Sequence, residues 1–398
     1  MLLAGDYVPH ECPVVLEMPE ELLLCNLEAP VLGNHFFKPA SKAGPNLRTH
    51  SLTDGFPKKI FSLANNHIMD FGENGLVETL AVLRKNNVLS VGAGRHREEA
   101  QTPVFFEEDG VRIAVLGCCE RQFGMAEKNK PGVCEMGLWM IPAIVGLKKN
   151  VDVVIVSCHA ALEFSPWPSP RLRQFYHALI DAGADIIHGH HAHVPQGYEV
   201  YKHGVIFYSL GNFVVDKDPS RVNPHFLWSL TLRCSFSTGC LKWEPVFCEI
   251  EKNDGVIRVK ISNQEQSGNH HEYISLCNRG LSRDETCEAY WQEAAMRFYY
   301  QLYHTPLGLP PVCTRRLPFK QRMRTGTDAL IRLAYSAVGR EFKTSLSRKH
   351  ALASYNFFNC PSHADAIATA LGMLLGERTD LRNTQTKEDA DALLVGCA

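Results

Sequence analysis

Apolar runs that stop at nitrogen and oxygen donors constrain this chain more than any other feature. Over the first 215 residues, short hydrophobic segments alternate with helical patterns, and most of the hydrophobic segments end in Asp, Glu, Asn or His. The spacing predicts strands over 2–4, 22–25, 60–63, 88–91, 112–116, 153–157, 186–188 and 205–209. Several are continuous apolar runs, the pattern of a strand covered on both faces. Helical patterns fall between them at 75–85, 142–149 and 170–181. Asp109-Gly110 between two apolar runs is a hairpin signal, so a mixed sheet in an α/β fold is expected.

Beyond Asp216 the texture changes. Residues 226–261 read as short alternating strands and 263–271 as a polar linker. From Ser282 the pattern is helical. One helix opens at a Ser282–Glu285 capping box and runs to about His304; others cover 327–339 and 362–375, with Gly376 as a stop. The expected division is a domain over 1–262, a linker over 263–281, a helical region over 282–376 and a frayed polar tail over 377–398. A formal net charge of −2 excludes a general nucleic-acid binder, which is normally basic. Fourteen cysteines without a CxxC pair fit small buried thiols in a reducing compartment rather than a disulfide framework. The first apolar run reaches Gly5-Asp6 at once, leaving no room for a signal peptide, and no run approaches membrane-spanning length. A soluble cytoplasmic protein is the expectation. Oligomeric state is not encoded in any pattern here.

The donors recur at strand ends. Gly5-Asp6 follows the first strand, Asn26-Leu27-Glu28 the second and Asn65-Asn66-His67 the third; His159 follows 153–157, and His190, His191 and His193 follow 186–188. Parallel strands bring their C-terminal ends to one crevice. A set of carboxylates, amides and imidazoles without thiolates suits one or two divalent ions, with Mn, Zn, Fe and Mg all open. Paired ions of this kind serve phosphate-ester hydrolysis. In that scheme Asp6 and Glu28 are anionic ligands, Asn66 offers an amide oxygen, and His159, His191 and His193 offer imidazoles. His67 is placed to protonate a leaving oxygen, with Asp70 three residues on to orient it. Plainer readings stand beside these. Asp6 suits a turn, Glu28 a solvated loop, and His191 and His193 hydrogen-bonded loop positions. His190 suits a structural role, because its neighbours claim the alternate positions. Glu163 can bond His159 or a substrate, or face water. Ser209 and Asn212, in the 208–213 loop, bond backbone on the substrate side of the site.

The ordered set GD, NLE.P, LANNH..D.G..GL, H...E, GHHAH and YSLGNF resembles the CapA-like family of poly-γ-glutamate capsule synthesis proteins, a branch of the calcineurin-like metallophosphatase superfamily. The resemblance covers residues 1 to about 216. It implies a sandwich of two sheets flanked by helices (α/β/β/α), here with a mainly helical C-terminal extension. It also implies a metal site at Asp6, Glu28, Asn66, His159, His191 and His193. The segment 42–47 resembles a family segment, which makes Lys42 a candidate for holding an anionic substrate group. The chain departs from the family where Tyr7-Val8-Pro9-His10-Glu11 lacks an Arg and where Ala160-Ala161 replaces a Trp-Gly pair. The expectation is a metal-dependent hydrolase whose metal-activated hydroxide attacks a phosphoester or, alternatively, a γ-glutamyl polymer. A non-hydrolytic, metal- and polymer-binding component of capsule synthesis or transport is the alternative, and a metal-free binding module a third reading. The cluster Arg315, Arg316, Lys320, Arg322 and Arg324 reads as a solvated face or as an attractor for a polyanion.

Overall fold

Continuous apolar runs become strands with both faces covered. In chain order the strands are β1 (Leu2–Val8), β2 (Val14–Glu17), β3 (Leu23–Leu27), β4 (Lys59–Ser62), β5 (Leu89–Val91), β6 (Ala93–Gly94), β7 (Val104–Glu108), β8 (Val111–Cys119) and β9 (Gly132–Val133). They continue with β10 (Val153–His159), β11 (Ile186–His190), β12 (Tyr198–Tyr201), β13 (Gly204–Phe207), β14 (Asn212–Val215), β15 (Trp228–Ser237), β16 (Cys240–Asn253) and β17 (Val256–Ile261). The helices are α1 (Gly72–Lys85), α2 (Arg97–Ala100), α3 (Met140–Leu147), α4 (Pro170–Asp181), α5 (Gln264–Arg279), α6 (Asp284–Phe298), α7 (Ser347–Asn359), α8 (Pro361–Leu374) and α9 (Thr384–Leu393). This is a computed structural model, describing residues 1–19, 21–50, 52, 59–217, 222–237, 240–304, 307 and 347–394. The basic cluster at 315–324 and the helix expected over 327–339 lie outside the described residues.

Two mixed sheets carry the fold. One runs β2-β17-β16-β15-β1-β3-β4-β5, with β14 also paired to β1; the other runs β12-β13-β11-β10-β8-β7. The pairs β1–β3, β3–β4, β8–β10, β10–β11 and β11–β13 are parallel. Strand alternation then sorts residues into layers. Leu3, Leu24 and Ile60 of the first sheet and Ile113, Ile155 and Ile186 of the second share one buried core between the sheets. Leu2, Leu23 and Phe61 face outward onto Leu76 and Leu83 of α1. Val154, Val156 and Ile187 face outward onto Ile144 of α3 and Leu172 and Tyr176 of α4. The result is the expected helix–sheet–sheet–helix sandwich. The β7–β8 hairpin turns at Asp109 and Gly110, both with positive φ, as the Asp-Gly pair predicts.

The C-terminal region corrects three expectations. The segment 263–281, expected as a linker, is helix α5, opened by a reciprocal Asn263–Gln266 capping box. The tail, expected to fray, holds α9, whose Ala390 and Leu393 are buried with Trp291 of α6, Ile367 of α8 and Ile155 of the second sheet. The helices therefore have no core of their own. Ser282 does not cap α6 either. Its hydroxyl donates to the Arg279 carbonyl at 2.9 Å, and Arg283 holds the N-cap position with no side-chain bond. Among the described residues no helix is long and apolar enough to cross a membrane.

One irregularity in β1 prepares the site. Leu2 and Ala4 face α1 while Leu3 faces the inter-sheet core, so regular alternation would send Tyr7 inward. Tyr7 instead packs with Leu2 and Ala4, and the pairing register of β1 shifts on both sides of Asp6. This bulge places Asp6 on the side away from Tyr7, toward the second sheet. It requires Gly5, because a Cβ there would lie 1.8 Å from the Gly211 carbonyl oxygen. Gly5→Ala is expected to cost ~3 kcal/mol or more through that clash. Gly110→Ala, with φ +76° but open space around it, is expected to cost only about 1–2 kcal/mol. Urea unfolding midpoints compare the two; equal midpoints would show that the close approach does not constrain the fold.

Candidate functional site

Six strands point their C-terminal ends at one crevice between the sheets. β1 supplies Asp6, β3 supplies Asn26 and then Glu28, and the turn after β4 supplies Asn66 and His67. β10 ends on His159, and β11 ends on His190 before a loop carrying His191 and His193. β8 ends at Cys119, followed by Glu120. His191 and His193 hold φ of 90° and 58°, rare for residues with a Cβ. Such strain costs about 1–3 kcal/mol per residue and collects at functional loops.

The donors form two groups that share Glu28: Glu28, His159 and His191, and Asp6, Glu28 and His193. In each group, one potential ligand atom per residue lies within 4.8 Å of the others. Glu28 Oε1 is 3.4 Å from His159 Nε2, while Glu28 Oε2 is 3.7 Å from His193 Nδ1. Asp6 Oδ2 lies 3.4 Å from His193 Nδ1, and Asp6 Oδ1 accepts from Asn26 Nδ2 at 2.8 Å. Asn66 Oδ1 meets His159 Nε2 at 3.0 Å. The six residues expected as ligands are therefore brought together. Glu28 is fully buried and sits between the two groups, which removes the solvated-loop reading.

Electrostatics sharpen the picture. Burial, reinforced by the nearby Asp6 carboxylate, drives the Glu28 carboxyl well above its usual range. Burial alone would lower His193, yet Glu28 and Asp6 carry its imidazole up to about 10. Burial drives His159 well below its ordinary value and His191 down to about 4, which favours their uncharged imidazoles. Neither oxygen of Glu28 has a hydrogen-bond donor aligned to it, nor does His191 Nδ1 have a partner, among the described residues. Buried polar atoms without partners are costly, and converging carboxylates repel. A divalent cation answers both problems, and the oxygen and nitrogen donors fit a hard or borderline ion.

The remaining expected residues fall around this cluster. His67 Nδ1 lies 2.7 Å from Asp70 Oδ2. Burial lowers the His67 imidazole, with Asp70 opposing and Lys42 adding to the shift. Lys42 Nζ meets Asp70 Oδ1 at 2.6 Å, His67 Nδ1 at 3.0 Å and the Asn66 carbonyl at 3.1 Å. The ammonium pairs with the Asp70 carboxylate and donates to the Asn66 carbonyl, while His67 Nδ1, turned to Asp70 Oδ2, is a close neighbour. Lys42 thus braces the His67–Asp70 pair from a buried position instead of extending a free ammonium toward a substrate. Glu163 is half-buried; burial opposes its ionisation, but His191 and His193 hold it below the usual carboxylate range. Asn212 Oδ1 lies 3.1 Å from His193 Nδ1, and its amide donates to the carbonyls of His193 and Phe226. Ser209 accepts from the Gly211 N–H at 3.1 Å and shapes the turn. His190 Nε2 lies 3.1 Å from Ser157 Oγ, and its Nδ1, without a hydrogen bond among the described residues, lies 3.6 Å from Asp6 Oδ1.

Glu120 and Gln122 escaped the sequence reading, whereas Asn26, already marked at the end of the second strand, supports the ligand candidates. Asn26 ties Asp6 to His159, with its Nδ2 3.2 Å from His159 Nδ1. Glu120 and Gln122 follow β8; Gln122 Nε2 lies 2.8 Å from His191 Nε2, and Glu120 Oε1 is 3.9 Å from the same nitrogen. The signal was present, since Glu120 obeys the same strand-end rule. Ending that strand at Leu116 hid it, because Gly117, Cys118 and Cys119 continue the strand.

Lys42→Met is expected to lower unfolding stability by ~3–5 kcal/mol, because it leaves the Asp70 carboxylate buried without its cation. Adding Asp70→Asn should restore part of the loss. An unchanged denaturation midpoint in Lys42→Met would show that the lysine does not brace the pair.

The chain matches the family described as bacterial capsule synthesis protein PGA_cap over residues 13–217. It is 39% identical over 181 residues to the capsule biosynthesis protein CapA of Bacillus anthracis, covering 44% of each chain. It is 37% identical over 229 residues to the PGA biosynthesis protein CapA of Bacillus subtilis strain 168, covering 56% of this chain and 60% of that one. The chain thus spans about half the length of the curated relatives it matches. Among solved structures it is similar to a hypothetical protein from Thermus thermophilus (15% identity, TM-score 0.38, 62% of this chain and 98% of that chain). It is also similar to a novel phosphatase from Mycoplasma pneumoniae (14% identity, TM-score 0.36, 66% and 91%). Likenesses of that size carry no weight here, and the fold rests on its own strand order. With just over half of its 398 residues inside the matched span, this chain belongs to the bacterial capsule synthesis protein PGA_cap family.

Proposed function

We propose that the chain is a metal-dependent hydrolase acting on a phosphoester or, alternatively, on a γ-glutamyl polymer in capsule synthesis. The observation that carries the proposal is a pair of buried donor groups sharing Glu28. In this reading Asp6, Glu28, Asn66, His159, His191 and His193 would hold one or two divalent ions, Glu28 being common to both donor groups. Ions so held supply an acidified water and neutralise charge on a phosphoryl oxygen. His67, oriented through Nδ1 by Asp70, stands beside Asn66 to give a proton to the leaving oxygen. Glu163 and Asn212 border His193 and orient what enters.

A cavity of about 780 Å³ has in its wall Lys42 and Gln122, which touch residues of the cluster, but not the ligand candidates themselves. Of the other cations in that wall, Arg121 is paired with Glu135 and Lys130 with Glu127, and the charge of Arg97 is offset by that of Glu73. The wall is therefore near charge balance, and Met69 and Phe123 add apolar surface. Such a wall suits a substrate with amide or sugar-like bulk beside its anionic group. The names of the Bacillus relatives support a place in polyglutamate capsule synthesis.

Full-length protein purified with Mn²⁺ or Zn²⁺ is expected to retain up to two ions per chain by elemental analysis. It is expected to hydrolyse bis-p-nitrophenyl phosphate, with activity removed by EDTA and restored by metal. Glu28→Gln, which weakens both groups at once, and His191→Ala should each lower turnover on the order of 10²-fold or more. Retained metal with no turnover of any phosphoester or γ-glutamyl substrate would replace the hydrolase by a non-hydrolytic, polymer-binding component. A chain that retains no metal would sink both.

A further inference from the structure

The residues that grip His191 are themselves gripped by the C-terminal helices. Glu120 is fully buried. Its Oε2 accepts from the Ser362 hydroxyl at 2.8 Å and the Ser362 N–H at 3.2 Å, and its Oε1 accepts from the Ala161 N–H at 3.3 Å. Ser362 lies in the first turn of α8, a 14-residue helix entered through Cys360 and Pro361. A carboxylate there meets free N–H groups and the positive end of the helix dipole. Asn359, the last residue of α7, donates to the Gln122 carbonyl at 3.4 Å. The α7–α8 junction therefore fastens both ends of the segment Glu120–Gln122, and that segment faces His191.

The imidazole chemistry gives this clamp a purpose. His191 Nε2 is the nitrogen facing Gln122 and Glu120, whereas Nδ1 is buried and has no hydrogen-bond partner among the described residues. Nδ1 is thus the atom left for an ion. A neutral imidazole that ligates through Nδ1 carries its proton on Nε2 and must donate from it. Glu120 offers an acceptor on that side, and a half-turn of the Gln122 amide presents its oxygen in place of its nitrogen. Partners of this kind set the tautomer and ring orientation of a metal-binding histidine.

We propose that Gln122 and Glu120 are positioning residues for His191, locked by Ser362, so that the C-terminal helices complete the half of the metal centre formed by Glu28, His159 and His191. The inference rests on the metal reading above. Ser362 is 145 residues beyond the family-matched span, which ends at 217. The C-terminal region is then a working part of the site and not an appendage.

Mn²⁺ titration of the full chain, by calorimetry and by electron paramagnetic resonance, separates the possibilities. Wild type is expected to bind in two steps and to show the signal of a coupled ion pair. Ser362→Ala and Gln122→Ala should each weaken one step by about 10–100-fold. The other step should stay within about twofold, and the coupled signal should disappear at low Mn²⁺. Ser362→Thr, which keeps the hydroxyl, should restore both steps. Gln122→Ala leaves the Glu120–Ser362 bonds in place, so it keeps the test open if Ser362→Ala folds poorly. Two steps in wild type that stay intact in both variants, or that weaken together, overturn this inference alone. No Mn²⁺ binding by wild type overturns the metal reading and this inference with it.

Discussion

A carboxylate with both oxygens buried and no donor aligned to either is among the costliest groups a protein interior holds, and Glu28 is such a group among the described residues. Two imidazoles lie 3.4 and 3.7 Å from it, His159 at the end of β10 and His193 in the loop after β11. A second carboxylate, Asp6, faces the same His193. A chain that selected only for stability would replace this arrangement with apolar side chains, since buried ion clusters rarely repay their desolvation. The cluster makes physical sense as a receptor for positive charge. Everything around it, from the bulge in β1 to the left-handed backbone at His191 and His193, serves to bring those groups within reach of one another.

The sandwich makes that convergence possible at low cost. Two sheets with parallel central strands each present C-terminal ends on one side, so donors separated by more than a hundred residues meet without long loops. Most of the folding energy lies elsewhere, in the inter-sheet layer and the two helix-covered outer faces. The rigid layers can therefore hold strained loops. The family resemblance and the geometry also divide the labour: similarity to CapA proteins speaks for lineage, while the donor set argues for chemistry.

Much of this was legible in the chain because local signals and tertiary context agreed. Helix α4 begins at Pro170, where Ser169 caps it through the Leu172 N–H, and ends at Asp181; the sequence marks both ends. The strand-end donors were legible for the same reason, since a buried strand leaves few other places for Asp6, His159 or His191. The failures share a different cause. The polar run after Ser262 looked like a linker because α5 buries little more than Tyr273, Ile274 and Cys277 along one edge. For Lys42, read as a substrate anchor, nothing in a sequence shows that Asp70 and the Asn66 carbonyl will also lie against its ammonium. Ser282 and Glu285 had the spacing of a capping box, yet the Arg279 carbonyl competed successfully for the serine hydroxyl. Each miss concerns which of several polar partners wins, and that is decided by packing.

The same competition explains why the C-terminal helices belong to the site. Their apolar faces are buried in the core that the two sheets share, with the Trp167 and Tyr290 rings 4.8 Å apart and Trp291 Nε1 donating to Thr369 at 3.1 Å. Docking them therefore orders the far end of β8 and buries Glu120 together with the first turn of α8. A buried carboxylate that lost those N–H and O–H partners would have to move or take up a proton, and His191 would lose the wall behind its Nε2. Stability of the helical region and geometry of the His191 half of the cluster are thus linked through one short segment, Glu120 to Gln122. Any change that loosens α8 is transmitted first to the ligand loop and only then to the sheets, because the sheets are held by their own layers of Ile, Val and Leu.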